Sequence, residues 1–182
     1  MLVAKQVADL ITVTRVLIVP ILIWLGVTQS QESLPLAVWL MIADWTGDLF
    51  DGIIARRSRR KYQTWIGDHD LEADILVSFG LMIYLLLVGF VELPVVGLYL
   101  VIWALIFWRW GFHRTLGMLI QAPIYLWFLV VSIREVPQAG LWILAWMVSV
   151  TVLTWPKFVV EIVPNFLDGI RAVFRVHQRD DR

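Results

Sequence analysis

The chain contains no cysteine and few charged residues, and these two shortages limit what it can be. With no thiol among 182 residues, a disulfide framework, a thiol nucleophile and a thiolate metal site are excluded. Only 16% of the residues are charged, whereas a soluble domain carries about 25%. Hydrophobic residues make up 60% of the chain. They fall in blocks of roughly twenty, the length that crosses a hydrocarbon core of about 30 Å. The composition therefore predicts an integral membrane protein.

Six apolar segments predict an all-α fold of six membrane-spanning helices, at 8–28, 34–55, 71–91, 93–111, 115–134 and 139–160. The first segment carries Arg15 and Pro20 and is followed by no clear cleavage site, so we interpret it as a retained helix and not a signal peptide. Residues 1–163 are predicted to form the membrane domain. The polar tail 164–182 has apolar residues at helical spacing, which fits an amphipathic helix at the interface as well as it fits a frayed terminus.

The positions of the basic residues predict the orientation of the chain. Lysine and arginine accumulate on the cytoplasmic side of membrane proteins. With the N-terminus inside, fourteen of the fifteen basic residues lie on the inner face, and only Arg134 lies in an outer loop. Both termini are then cytoplasmic. The stretch 48–74 becomes the inner half of the second span, a cytoplasmic loop and the entry to the third span.

The second predicted span holds three acidic residues, Asp44, Asp48 and Asp51, inside an apolar run. An ionised carboxylate within a span costs about 2.5–3.5 kcal/mol on insertion scales and usually serves a function in a wet cavity. The i, i+4, i+7 spacing puts the three on one helical face. Asp70 and Asp74 form a second i, i+4 pair where the third span starts. If these two spans pack as an antiparallel hairpin, the two sets converge at the inner membrane surface.

Carboxylates that face one point repel each other unless a cation lies between them. Hard divalent cations prefer oxygen ligands, and Mg²⁺ commonly bridges carboxylates to substrate phosphates. Gly52 and Ala55 are small enough for a bulky group, such as a nucleotide, to approach the helix backbone. Arg56 stands where it can hold a phosphate by charged hydrogen bonds. Together these residues predict chemistry on a phosphorylated lipid.

Other interpretations of the acidic residues stay open from the residues alone. A proton or cation transport path is the alternative for Asp48 and Asp51. For Asp68 and Glu72 we favour pairing with the basic cluster 56–61 on a solvated surface. Asp44 is either an additional outer ligand or a buried protonated acid.

The acidic stretch resembles the signature of the CDP-alcohol phosphatidyltransferases, D-x2-D-G-x2-A-R-x8-G-x3-D-x3-D. Its first half matches at every fixed position, from Asp48 to Arg56. Its second half is altered, because the Asp70 and Asp74 pair comes one residue late and Gly67 precedes Asp70 by three positions instead of four. The N-terminal "ADLITVTRVLIVP" is similar to the first helix of family members that accept glycerol phosphate. Phosphatidylglycerophosphate synthase-like members are therefore the nearest within the family.

This resemblance implies an enzyme of phospholipid synthesis that transfers a phosphatidyl group from CDP-diacylglycerol to an alcohol and releases CMP. One or two Mg²⁺ or Mn²⁺ ions would be held by four carboxylates, those of Asp48, Asp51, Asp70 and Asp74. Asp74 would also be the general base. The CDP-binding residues implied are Asp48, Gly52, Ala55, Arg56 and Gly67. The location implied is a bacterial cytoplasmic membrane, with the site facing the cytoplasm.

The acceptor alcohol is predicted to be glycerol 3-phosphate, because the first helix resembles that of the glycerophosphate-accepting members and the inner face is basic. Arg109 and Arg114, on the connection between the fourth and fifth spans, are the candidates for binding the acceptor phosphate. The predicted partners are CDP-diacylglycerol, the acceptor and membrane lipids, with no nucleic acid. A homodimer and membership of a membrane complex stay open. The alternative function is a catalytically degenerate family member that serves as a structural subunit of such a complex.

Overall fold

A computed structural model of the chain describes residues 4–57, 69–155, 159–160, 163–165 and 167–171. The described part of the chain is helical and contains no strand, which confirms the all-α prediction. A short 3-10 helix, Ser30–Ser33, separates the second and third α-helices. The α-helices of the membrane domain are α1 (Ala4–Val16), α2 (Ile18–Thr28), α3 (Leu34–Arg57), α4 (Asp70–Val88), α5 (Leu93–Trp110), α6 (Arg114–Glu135) and α7 (Pro137–Thr154).

Five helical segments of the described residues are long and apolar enough to cross a membrane. They are Asp9–Thr28, α4, α5, α6 and α7. The remaining predicted span corresponds to α3, whose 24 residues measure about 36 Å at about 1.5 Å per residue. Three aspartates lie on α3, so it is less apolar than the other five. The count of six spans therefore stays a prediction for α3, the helix that carries most of the acidic residues.

The first predicted span is one continuous segment in sequence but two helices in the structure. The break falls at Leu17, between α1 and α2. Its cause is Pro20, whose ring has no N–H to donate and clashes with the carbonyl of the residue four positions earlier. That residue is Val16, the last of α1. The proline therefore separates the two halves of this span, and Arg15 lies in the last turn of α1, the half before the break.

Proline and glycine set the limits of the other helices. α4 ends at Gly89, which has a left-handed φ of 84° and donates its N–H to the carbonyls of Leu85 and Leu86. This conformation costs glycine little because it has no Cβ. α5 and α7 each have a proline in their first turn, where a missing N–H leaves no helical hydrogen bond unmade.

The helices pack in pairs that bring α1, α3 and α4 together. α1 packs against α3 and α4, α2 packs against α4, and α6 packs against both α4 and α7. The core between them is apolar, with Leu22 and Leu25 of α2 against Leu81, Tyr84 and Leu85 of α4. α1, α3 and α4 carry Arg15 and the described aspartates of the predicted site. The apolar core thus holds α3 and α4, and α1 contacts both of these helices.

Part of the predicted tail lies against the membrane domain. Residues 163–165 and 167–171 are helical, and a Cβ added at Gly169 would lie 2.5 Å from Thr115 Oγ1 at the start of α6. Asp168 and Arg171 form an exposed ion pair at 3.2 Å. The division of the chain at 163 and 164 stays a prediction.

Candidate active site at the α1, α3 and α4 junction

The acidic face of α3 runs from the protein interior to the surface. Asp44 is 1% exposed and Asp48, one turn closer to the end of the helix, is 48% exposed. Spacing of i, i+4 places both on one side of α3, the side that faces Arg15 of α1. The two aspartates therefore meet different environments, and only Asp48 is open to a ligand that enters from the surface.

Asp70 and Asp74 lie in the first two turns of α4. Carboxylates at the N-terminus of a helix are favoured by the helix dipole, which makes this a stable place for acidic residues. Both are partly exposed, and Thr12 of α1 donates a hydrogen bond to Asp70. Glu72, on the other side of the same turn, is exposed. This position agrees with the solvated surface that we favoured for Glu72.

Three carboxylates from two helices converge in one cluster. One oxygen each of Asp48, Asp70 and Asp74 can be chosen so that all three lie within 4.8 Å of one another. Three carboxylate oxygens at this separation are a donor set that fits a hard divalent cation. The described residues thus contain a group able to hold a metal ion, and it consists of acids that the spacing predicted to meet.

Arg15 lies at the centre of the acidic residues, and sequence reasoning missed this role. Its side chain is 5% exposed. Its Nε donates to Oδ1 of Asp44 at 3.0 Å, its Nη1 donates to Oδ1 of Asp48 at 3.1 Å, and its Nη2 donates to Oδ1 of Asp74 at 2.5 Å. Oδ1 of Asp70 lies 3.8 Å from Nη1. One guanidinium therefore links carboxylates of α3 and α4 from a third helix.

The partner of Asp44, left open by the sequence, is Arg15. Asp44 accepts its hydrogen bond from a guanidinium, which is charged at any physiological pH, so a carboxylate is the form that this contact favours. Among the described residues, the other oxygen of Asp44 is buried with no hydrogen-bond partner. Asp44 is thus not one of the clustered acids, and it contacts the cation that joins them.

The sequence did contain a signal for Arg15. The cost of burying a charge in a membrane span was considered only for the acidic residues, but it applies to an arginine as well. A charged residue inside an apolar span is costly and needs a partner, whichever sign it carries. Arg15 was interpreted as a basic residue of the inner face and as part of the first-helix resemblance. Its contacts come from two other helices, so no spacing along its own helix indicates them.

Comparison with protein families gave a match that covers most of the chain. The model of the family described as CDP-alcohol phosphatidyltransferase matches residues 5–155. The chain belongs to the CDP-alcohol phosphatidyltransferase family. No curated protein and no solved structure matched in the other two comparisons.

The general activity of the chain follows from its membership of the CDP-alcohol phosphatidyltransferase family. The chain is a membrane transferase of phospholipid biosynthesis, which moves a phosphatidyl group from a CDP-alcohol to an acceptor alcohol. The family is generally dependent on divalent metal, and the cluster of Asp48, Asp70 and Asp74 could bind such an ion. The match spans α1 to α7, so the acidic cluster lies within the matched region.

Several residues that the family signature singles out lie at or beyond the limit of the described residues. Gly67 lies in 58–68, outside the described residues, as does Asp68, which was predicted to pair with the basic cluster. The others lie in the last two turns of α3, where the side chains are outside the described part, namely Asp51, Gly52, Ala55 and Arg56. Their predicted contacts with metal and CDP stay predictions.

The two arginines predicted to bind the acceptor phosphate border the connection between α5 and α6. Arg114, the first residue of α6, is exposed and close enough to Asp70 for their charges to interact. Arg109 is exposed in the last turn of α5, with its guanidinium carbon 5.7 Å from the centre of the Trp110 ring. The charge of Arg114 therefore acts on the acidic cluster, and Arg109 lies on α5, the helix before α6.

Proposed function

We propose that this family member is a phosphatidylglycerophosphate synthase-like enzyme, which transfers a phosphatidyl group from CDP-diacylglycerol to glycerol 3-phosphate and releases CMP. The observation that carries the proposal is the convergence of Asp48, Asp70 and Asp74 within 4.8 Å, where α3 and α4 both meet α1. Acids from two helices would share one cation in the site, which would face the cytoplasm of a bacterial membrane. That orientation is supported by the concentration of lysine and arginine on one predicted side of the membrane.

The residues proposed to hold Mg²⁺ or Mn²⁺ are Asp48, Asp70 and Asp74, with Asp51 as the fourth. Their oxygen donors match the preference of both ions. When bound, one or two such ions supply charge neutralisation at the diphosphate and its leaving group. Asp48 is the most exposed of the described three, which suits a residue that also meets the CDP portion of the lipid.

The proposed reaction exchanges one phosphorus–oxygen bond for another. The acceptor hydroxyl oxygen attacks the phosphorus bonded to the diacylglycerol, and the bond from that phosphorus to the oxygen of CMP breaks. Asp74 takes the proton of the hydroxyl as general base. Its carboxylate is held by Nη2 of Arg15, so its position relative to the acceptor is fixed before substrate binds.

The CDP portion is proposed to lie along the end of α3. Gly52 and Ala55 leave room for the nucleotide next to the backbone, and Arg56 pairs with a phosphate. Gly67 is the fifth residue of this proposed CDP site, together with Asp48. The altered spacing between Gly67 and Asp70 makes Gly67 the residue whose contribution most needs direct measurement.

Glycerol 3-phosphate is the proposed acceptor because a phosphate-bearing alcohol needs cations next to the site. The charge of Arg114 acts on Asp70, and Arg109 lies across the short connection 111–113, which supports these two guanidinium groups as the proposed phosphate-binding pair. Guanidinium groups bind phosphate with paired, charge-assisted hydrogen bonds. Both arginine side chains are exposed, so a soluble acceptor can reach them.

The test is release of CMP by purified protein in detergent, with CDP-diacylglycerol, glycerol 3-phosphate and Mg²⁺ or Mn²⁺. We expect Asp74→Asn to lower the rate by about a hundredfold to ten-thousandfold, the contribution of a general base. Glu135→Gln, which removes a carboxylate from the exposed end of α6, is the matched control and should retain the wild-type rate.

Two results would contradict the proposal. Release of CMP with serine or inositol phosphate but not with glycerol 3-phosphate would reassign the acceptor. No release with any acceptor, from a protein that co-purifies stoichiometrically with other membrane proteins, would favour the structural subunit.

A further inference from the structure

Arg15 and Asp44 form a buried ion pair next to the acidic cluster, and the family signature includes neither residue in its acidic motif. Arg15 is 5% exposed and Asp44 is 1% exposed. Two charges are removed from water only at a large cost, which their mutual attraction and further hydrogen bonds have to offset. An ion pair this deeply buried therefore suggests a role other than stabilising the fold.

The contacts of Arg15 are of two kinds. Asp44 anchors the guanidinium, and the guanidinium in turn orients Asp48 and Asp74. Nε is held by Asp44, while Nη1 and Nη2 point to Asp48 of α3 and Asp74 of α4. A guanidinium is planar and rigid, so fixing Nε also fixes the directions of both terminal nitrogens. Each of these contacts uses Oδ1, and a carboxylate has a second oxygen that can serve a metal.

The backbone of α3 leaves space for this arrangement. A Cβ added at Gly47 would lie 3.2 Å from Cδ of Arg15 and 3.3 Å from its Cγ. Glycine at this position therefore lets the stem of Arg15 lie directly against α3, between Asp44 and Asp48. The arginine is seated by the shape of the neighbouring helix as well as by charge.

We infer that Arg15, anchored by Asp44 and seated against Gly47, is the positioning residue of the metal-binding carboxylates. It hydrogen-bonds Asp48 and Asp74 from outside the set of metal ligands and holds the two helices at the separation that a divalent cation requires. The inference rests on the proposed function, because it assumes that these carboxylates bind a cation.

Two opposite expectations make the inference testable by metal affinity. A positive charge near a cation site repels the cation, so from charge alone the loss of Arg15 should tighten binding. A hydrogen-bond partner of metal ligands has the reverse effect, because its loss typically weakens metal affinity by about 10–100-fold. The sign of the change therefore separates a competitor for the carboxylates from a residue that positions them.

The experiment is a titration of the full chain in detergent with Mn²⁺, followed by electron paramagnetic resonance, which needs no turnover. We expect Arg15→Gln to weaken Mn²⁺ binding by about 10–100-fold. Asp44→Asn should weaken it less. The double variant Arg15→Gln with Asp44→Asn should bind about as Arg15→Gln alone, because Asp44 acts through Arg15. Arg134→Gln, an exposed arginine at the other end of α6, is the charge control and should bind as wild type.

Gly47→Ala tests the same inference without changing any charge. The added methyl displaces the stem of Arg15 by a few tenths of an ångström, and we expect several-fold weaker Mn²⁺ binding. Thermal unfolding without metal will show whether Arg15→Gln folds. If it does not fold, the two single variants Gly47→Ala and Asp44→Asn provide the test. A purely structural role for Arg15 would lower the melting temperature and leave the affinity of the folded variants unchanged.

The outcomes separate this inference from the proposed function. Equal or tighter Mn²⁺ binding in folded Arg15→Gln, or in both Gly47→Ala and Asp44→Asn, would overturn the inference and leave the enzyme proposal standing. If the wild-type chain binds no Mn²⁺ and releases no CMP, the proposed function itself fails.

Discussion

Arg114 is the residue best placed to select a phosphate-bearing acceptor, because it is exposed and its charge reaches Asp70. We expect Arg114→Gln to raise the KM for glycerol 3-phosphate by about ten- to a hundredfold, since a hydrogen bond to a charged group contributes about 1.5–3 kcal/mol. The KM for CDP-diacylglycerol should change little. Steady-state kinetics with each substrate varied in turn will measure both constants.

The distant Arg134→Gln variant serves as the control for this measurement as well. An equal rise in both KM values would place Arg114 in the binding of the lipid diphosphate instead of the acceptor. A wild-type KM for glycerol 3-phosphate would remove Arg114 from acceptor binding.

At the scale of single residues, helical spacing predicted which acids share a face where they lie on one helix. Asp70 and Asp74 are one turn apart on α4, and Asp48 meets them because α3 and α4 lie at the same junction. Arg15 could not be found in this way, since its four acidic contacts come from helices 29 or more residues away in sequence. Only the packing of α1 against α3 and α4 reveals it.

At the scale of helices, close packing of α2 against α4 helps to fix the helix that carries Asp70 and Asp74. Gly80 of α4 faces Val19 of α2, and an added Cβ would lie 3.0 Å from its Cγ1. A Cβ here would have to displace Val19 by a few tenths of an ångström, so glycine favours the close approach of the two helices. Because α4 also carries Asp70 and Asp74, a change in this contact is expected to reach the acidic cluster.

We expect Gly80→Val to destabilise the protein by about 1–3 kcal/mol, the usual cost of overpacking a core. Thermal unfolding in detergent should show a melting temperature several degrees lower. Gly97→Ala on α5 is the matched control, because nothing lies within 4 Å of a Cβ added there. A methyl group at Gly97 should be neutral or slightly stabilising, since alanine favours helix. Equal melting temperatures for the two variants would contradict the importance of this contact.

The ends of helices could be predicted from sequence where a glycine or proline interrupts the apolar run, but not where the apolar run continues through the proline. The predicted connection between the fourth and fifth spans corresponds to residues 111–113, where Gly111 has a φ of 74° and ends α5. The break at Leu17 was missed, although Pro20 was recognised in the first span. The apolar run continues through the proline, so hydropathy alone gives one span, while the backbone has to interrupt its hydrogen bonds there.

At the scale of the whole molecule, the candidate site lies at one end of the helical bundle. It collects the end of α3, the start of α4 and the start of α6, together with Arg15 of α1. The described tail residue Gly169 approaches Thr115 at this same end. The basic segment 56–61 begins in the last turn of α3, so the positive-inside rule predicts that this end faces the cytoplasm.

The lack of cysteine makes this orientation directly testable, because any introduced thiol is the sole thiol of the chain. Gln31→Cys between α2 and α3, and Gln138→Cys at the start of α7, lie on exposed positions of the predicted outer face. His113→Cys lies on the exposed connection before α6, at the predicted inner face. In intact cells, a membrane-impermeant maleimide should label the first two, whereas His113→Cys should react only after permeabilisation. Labelling of His113→Cys in intact cells, with Gln31→Cys protected, would invert the bundle and place the acidic cluster on the outer surface, where no cytoplasmic acceptor could reach it.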